Sequence, residues 1–360
     1  MRKLFSLAIA LAAGAALTGV ALPAHAAEKL KAAWVYIGPV GDFGWTYQHD
    51  QGRLAVEKEF GDKVETTYVE NVPEGPDAER VIEQLARAGN KIIFTTSFGY
   101  MEPTLKVAKR HPKVMFEHAT GFKRDKNVST YNSKFHEGRY ILGQIAAKMS
   151  KTGTIGYIAS FPIPEVISGI NSVMLGAQSV NPEMKIKIVW VNSWFDPAKE
   201  ADAAKALIDQ GADIITQHTD SPAAMQAAES RGVKAFGQAS DMIQFGKTAQ
   251  LTSIIDNWAP YYIKRVKDAM DGTWTSTDTW ASMGDGEVVM APYTNMPDDV
   301  KAMAQDTEAK IKSGALNPFK GPIYDQAGKL VVKEGAALPD KDILSMNWYV
   351  KGIDDKVPGK

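Results

Sequence analysis

Short apolar runs alternate with amphipathic helical segments from Leu30 to Gly237, and few folds accept that order. Leu30–Ile37 reads as a buried strand, followed by a Gly/Pro loop and a helix over Thr46–Phe60. Val64–Val69 (strand), Asp77–Ala88 (helix), Lys91–Thr95 (strand), Met101–Arg110 (helix) and Val114–His118 (strand) continue the series. This predicts an α/β fold with a parallel sheet covered on both faces, since each helix returns the chain to the edge where the next parallel strand begins. The rhythm then repeats, with helices over Phe135–Met149, Glu165–Val180, Ala198–Gln210 and Pro222–Arg231. Strands are expected between them at Thr154–Ala159, Lys185–Asn192, Asp213–Thr216 and Lys234–Gly237. Two such units in succession predict two similar lobes. A strand at Leu251–Ile255 and a helix at Pro260–Met270 precede a loop-rich tail with short β segments at Glu287–Ala291 and Lys329–Val332. That tail is expected to cross back between the lobes and finish their sheets.

The N-terminus reads as a secretory signal. Arg2 and Lys3 precede an apolar run over Leu4–Leu22, Pro23 breaks it, and Ala24-His25-Ala26 offers small residues for cleavage after Ala26. A retained anchor is the alternative, but Pro followed by Ala-x-Ala favours cleavage and a periplasmic product. The chain has no cysteine, which excludes a lipid anchor on Cys, disulfides and thiolate metal sites. Its net charge of −1 gives no electrostatic case for nucleic acid or an anionic membrane as a partner. A monomer without cofactors is expected.

In open parallel sheets, ligands bind beyond the carboxyl ends of the strands. With two facing lobes, those loops line a closing cleft. After the first strand comes Gly38-Pro39-Val40-Gly41-Asp42-Phe43-Gly44-Trp45. Its glycine spacing does not match the dinucleotide fingerprint, and Pro39 stands where the backbone would approach phosphate. Phe43 and Trp45 beside a helix start are either loop packing or a stacking platform for a flat ligand. The next candidate loop holds Ser97 and Phe98, with capping and packing as the alternative. In the second unit, Phe161 and Glu165 flank a Pro-fixed loop, where Glu165 could simply stabilise a helix N-terminus. Trp194, then Gln217 and His218, then Asp241 close the series, with Asp241 the expected acceptor for ligand N–H groups.

Catalytic patterns are sparse. His136-Glu137 lacks the second His of a zinc-protease helix, and Gly-x-Ser-x-Gly is absent. Aromatic faces with a few amides and carboxylates describe a binding pocket instead.

Several segments, in order, resemble the BMP (basic membrane protein, purine-nucleoside-receptor-like) family of ABC-transporter substrate-binding proteins. They are Gly41-Asp42-Phe43-Gly44-Trp45-Thr46, Thr95-Thr96-Ser97-Phe98, Phe135-His136-Glu137-Gly138-Arg139-Tyr140, Phe161-Pro162-Ile163-Pro164-Glu165 and Trp194-Phe195-Asp196-Pro197. The resemblance implies a type I periplasmic-binding fold, with two Rossmann-like lobes joined by a three-segment hinge, and a purine held between them. The lobes are expected to comprise residues 27–132 with about 251–280, and 133–250 with about 281–360. The resemblance also implies that Trp45 stacks on the base, that Asp42 matches a loop acid, and that Asp241 contacts the ligand. Where nucleoside binders of the family carry a Lys on the ribose side, this chain has Asp256, in Ser253-Ile254-Ile255-Asp256. A free nucleobase such as adenine or guanine is therefore expected, delivered to ABC permease subunits. A nucleoside or sugar ligand is the alternative. A periplasmic nucleoside-processing enzyme is a further one, requiring Glu117, His218 and Asp241 to converge.

Overall fold

The computed structural model describes residues 29–359. The expected signal over residues 1–26 lies outside them. The first sheet contains β1 (Leu30–Val35), β2 (Val64–Val69), β3 (Ile92–Thr95), β4 (Met115–Ala119) and β5 (Val128–Ser133). Three helices connect and cover them: α1 (Trp45–Phe60), α2 (Pro76–Arg87) and α3 (Met101–Arg110). The chain then crosses to the second lobe through α4 (Phe135–Met149). There it alternates β6 (Thr154–Ala159), α5 (Pro164–Gln178), β7 (Lys185–Trp190), α6 (Pro197–Asp209), β8 (Ile214–His218), α7 (Ala223–Arg231), β9 (Lys234–Gly237) and β10 (Gln250–Asp256). It returns to the first lobe for α8 (Ala259–Met270) and β11 (Asp278–Ala281). It ends on the second lobe with β12 (Val288–Met290), α9 (Asp298–Lys312), the hairpin β13 (Ile323–Tyr324) and β14 (Leu330–Val332), and α10 (Asp340–Ile343).

The strand order is β11-β5-β4-β3-β1-β2 in the first lobe and β12-β10-β9-β8-β6-β7 in the second. Within these two sheets all strand pairings are parallel except β10 with β12. Each central strand is buried on both faces, as parallel sheets require. In the first lobe, one side of the sheet packs Val35, Ile93 and Phe116 against α2 and α3. The other packs Trp34 and Phe94 against Trp258 and Tyr262.

Most expected elements are present within a residue or two. The strand expected in the first lobe at Leu251–Ile255 instead belongs to the second, because β10 pairs with β9 and buries Leu251 and Ile254 in the second core. The second crossing therefore follows Asp256. The first lobe reclaims the chain at α8, where Arg265 pairs with the fully buried Glu117 at 2.7 Å. Two strands and a helix also depart from expectation. β5 reads Val-Ser-Thr-Tyr-Asn-Ser, and its hydroxyls are buried beneath neighbouring elements, so no apolar run marks it. β11 is short and lies at the sheet edge. The tail expected to be loop contains the 15-residue α9, whose buried Val300, Ala304, Thr307 and Ile311 form one stripe.

Candidate functional site

The carboxyl ends of both sheets face each other, and the lobes touch across the gap. Ser240 Oγ donates to the Phe43 carbonyl, Asn132 Nδ2 donates to Glu165 Oε2 at 3.4 Å, and the Phe43 and Phe245 rings meet edge-on at 5.0 Å. Gly44 lies so close to the opposite loop that a Cβ there would stand 2.1 Å from the Asp220 carbonyl oxygen.

Between the lobes lies a cavity of about 350 Å³ bordered by Ile37, Trp45, Ser97, Phe98 and Thr120 on one side and Glu165, Trp194, His218, Asp220 and Gln238 on the other. The loops that build it hold strained backbone. Phe43, Thr120, Asn192 and Ala239 sit at four strand ends with φ of 59°, 60°, 51° and 60°. Left-handed geometry at such residues costs about 1–3 kcal/mol each and is typical of functional loops.

Trp45 starts α1, and its indole N–H donates to the Thr96 carbonyl at 2.6 Å. His49, Trp258 and Phe135 pack against the indole edge-on at 4.4, 5.5 and 6.1 Å, so the ring is locked in place. Asp42 does not border the cavity. Its carboxylate accepts from the N–H groups of Gly44, Thr46 and Tyr47 at 2.8, 3.0 and 2.8 Å, satisfying the free donors at the start of α1. Burial nevertheless raises its carboxyl to about 6. Phe43 turns away to Tyr47 and Phe245. Ser97 borders the cavity, but its hydroxyl donates to Glu74 at 2.5 Å and can only accept from a ligand.

In the second lobe, Phe161 lies behind Trp194, with ring centres 5.1 Å apart. Gln217 is buried and uses its amide N–H₂ to hold the Thr219 and Ser221 carbonyls at 2.9 and 2.8 Å. Asp241, the expected acceptor, accepts from Gln250 and from the Ile243 N–H at 2.7 and 3.1 Å and does not border the cavity. Of the aspartates, it is Asp220 that borders the cavity, beside the carboxylate of Glu165, and from the loop expected to present Asp241 it is Gln238 that reaches the space. Glu117 lies in the first core with Arg265, Tyr261 and Trp274, apart from His218 and Asp241.

Burial pushes the Asp220 carboxyl well above the usual range, reinforced by the carboxylates of Asp42, Glu200, Asp256 and Glu165, so it tends toward the neutral acid. Burial likewise lowers His218 against the opposing pull of Glu165. Neutral His218 donates from Nε2 to Glu165 at 3.2 Å, leaving Nδ1 without a partner. Arg139, buried in α4, orients the floor. It donates to the Gln217 carbonyl at 2.9 Å and to the Gln238 side-chain oxygen, which leaves the Gln238 N–H₂ available. Asp256 is fully buried with neither carboxylate oxygen paired. Neither Ile37 nor Thr120 belongs to a polar or aromatic pattern, so neither is legible as a site residue in the sequence.

Two facing α/β lobes with an aromatic cavity at their strand ends define a solute-binding protein. Solved structures agree on the fold. An ABC-transporter solute-binding protein from Aeropyrum pernix superposes with a TM-score of 0.71 at 18% identity, over 80% of this chain and 92% of that one. One from Conexibacter woesei gives 0.64 at 23%, over 80% and 98%. The family model for PnrA-like ABC transporter substrate-binding proteins matches residues 29–318, and the chain belongs to this Bmp family. The family is one of ABC transporter substrate-binding proteins. Relatives include a purine-binding protein of Brucella abortus, 64% identical over 97% of this chain and 99% of its own. A putative ABC transporter glucose-binding protein of Haloferax volcanii is 39% identical over 92% and 82%.

Proposed function

We propose that this chain captures a free purine nucleobase, such as adenine or guanine, between its lobes and delivers it to ABC permease subunits as a monomeric, exported periplasmic protein. The observation that carries this reading is the placement of the locked Trp45 ring and the Asp220 carboxyl on opposite sides of one small cavity. A flat heterocycle stacks on an aromatic face, worth about 1–3 kcal/mol per base in other sites. A neutral carboxyl both donates and accepts through adjacent oxygens. An adenine edge offers the matching pair, an N–H donor beside a ring-nitrogen acceptor. Among the described residues no Lys or Arg borders the cavity, which disfavours a phosphorylated ligand. Asp256, where the family's nucleoside binders carry Lys, adds a buried acid and no cation for a ribose.

The Haloferax relative makes glucose the second reading. Sugars also stack on aromatic rings, but their many hydroxyls need several carboxylate or amide partners. Of the second lobe's polar groups here, Glu165 is engaged by His218 and Asn132, and Gln238 by Arg139.

Thermal unfolding of the mature protein with a panel of nucleobases, nucleosides and sugars tests both readings. A ligand at about 100 times its Kd adds roughly 2.7 kcal/mol of stability, an easily measured rise in Tm. Stabilisation by adenine or guanine is expected. Stabilisation by glucose with silence from every purine would overturn the proposal.

A further inference from the structure

The cavity adjoins a second, larger space of about 860 Å³, and Phe98, Thr120 and Glu165 border both. This chamber lies beside the crossovers after β5 and β11. Its walls are largely apolar, built from Phe122, Phe135, Ile163, Trp280 and Leu344. Among the described residues no Lys or Arg borders it. Lys134 lies over the Trp280 ring at 4.8 Å and pairs with Asp340 at 3.1 Å.

Most polar groups around the chamber already have partners. Asn132 donates to Glu165 at 3.4 Å and accepts from the Ser133 N–H at 2.8 Å. Ser168 Oγ donates to the Glu165 carbonyl at 2.9 Å, and Asp278 accepts from Thr130 at 2.7 Å. Ser133 Oγ is a buried hydroxyl that has no such partner. The residue is 2% exposed, borders the chamber and has no partner for its hydroxyl. Beside it, His136 sits against the Trp280 and Phe319 rings at 5.5 and 5.3 Å. Burial pushes its imidazole down to about 3, so it supplies no charge at neutral pH.

Resting on the purine reading, we infer that this chamber takes an uncharged, mainly apolar substituent of the purine, an aryl or alkyl group carrying at most one hydrogen-bonding atom. The ligands of this protein then include substituted purines as well as the free base. A phosphate would be desolvated with no cation to meet it. A ribose would bury several hydroxyls against walls that are largely apolar and whose carboxylates, Glu165 and Asp278, already hold partners. An aromatic or aliphatic group loses nothing polar and covers Phe135 and Trp280.

Calorimetric titration with adenine, N6-benzyladenine, 9-benzyladenine and adenosine monophosphate tests this. At least one benzylated purine is expected to bind at least tenfold more tightly than adenine, through the added apolar burial. The monophosphate is expected to bind at least tenfold more weakly. Thr279→Trp fills the chamber from β11, outside the first cavity, and should abolish the gain while leaving adenine affinity unchanged. Leu344→Arg, at a rim position 48% exposed, should also reduce the gain and serves if the tryptophan disturbs the sheet edge. Adenine binding with no advantage for either benzylated purine would overturn the chamber alone, as would an advantage that survives both substitutions. Silence from every purine would overturn the purine reading and the chamber with it.

Discussion

The two lobes share a fold but contribute different chemistry to the cleft. The first lobe presents Ile37, Trp45 and Phe98, with a serine already committed to Glu74 and a strained threonine. The second presents Glu165, His218, Asp220 and Gln238 around Trp194. One lobe supplies mainly faces and the other mainly hydrogen-bonding edges. The difference has a physical source. In the first lobe, α1 begins directly after the glycine loop, and Asp42 is spent on its N-terminus, so aromatics remain to meet the ligand. In the second, buried Arg139 ties the carboxyl end of β8 to the loop after β9, where it holds Gln238 by its side-chain oxygen. A flat, edge-polar ligand suits such a pair of walls.

The most severe way to break the comparison is to keep the walls apart. Gly44→Ala places a methyl against the Asp220 carbonyl, a contact of 2.1 Å that only separation of the lobes relieves. Purine affinity should fall at least hundredfold, since the binding-competent closed state becomes scarce, while circular dichroism stays native. An unchanged Kd would show that the lobes do not close as described. Removing the edge is the next largest effect. Asp220→Ala should cost about 2 kcal/mol, or about thirtyfold in Kd, by leaving polar atoms of the ligand unpaired. The same substitution should raise Tm, because it removes an acid that burial and four carboxylate neighbours disfavour. Removing the face, with Trp45→Ala, should weaken binding at least tenfold through lost stacking. Intact affinity with intact folding would remove the stacking account.

The smallest effect is on pH. Asp42, raised to about 6, and Asp220, raised well above the ordinary carboxyl range by burial and its carboxylate neighbours, are acids with increased proton affinity in this closed arrangement. Closure therefore takes up protons. It is favoured below the ordinary carboxyl pKa and loses that advantage as pH rises through the raised values. Purine affinity should fall a few-fold in all as pH rises from the ordinary carboxyl range through about 6. Titration in buffers of different ionisation enthalpy should show proton uptake on binding. Asp220→Asn should flatten the profile; a wild-type affinity that rises with pH would contradict the sign.

Each lobe was readable in part from the sequence. The parallel strands were plain because strands buried on both faces are nearly continuous apolar runs. β5 was not, because its polar side chains are buried by packing that only tertiary structure supplies. Trp45, Ser97, Phe98, Glu165, Trp194 and His218 were legible as cleft residues because each stands at a strand end, where function is expected. Choosing among neighbouring acids was not possible from the sequence. Asp220 and Asp241 both follow second-lobe strands, and only the hydrogen bond from Gln250 shows that Asp241 is already occupied. Ile37 and Thr120 border the cavity through backbone geometry, and the φ of 60° at Thr120 carries no glycine to announce it.

The most direct test of the central claim is a calorimetric titration of the mature protein with adenine and adenosine side by side. A single adenine site, with adenosine at least tenfold weaker, is predicted because a ribose adds hydroxyls that the cleft and its side chamber leave unpaired. Adenosine binding more tightly than adenine, or heat from neither, would contradict a free base held between the Trp45 face and the Asp220 edge.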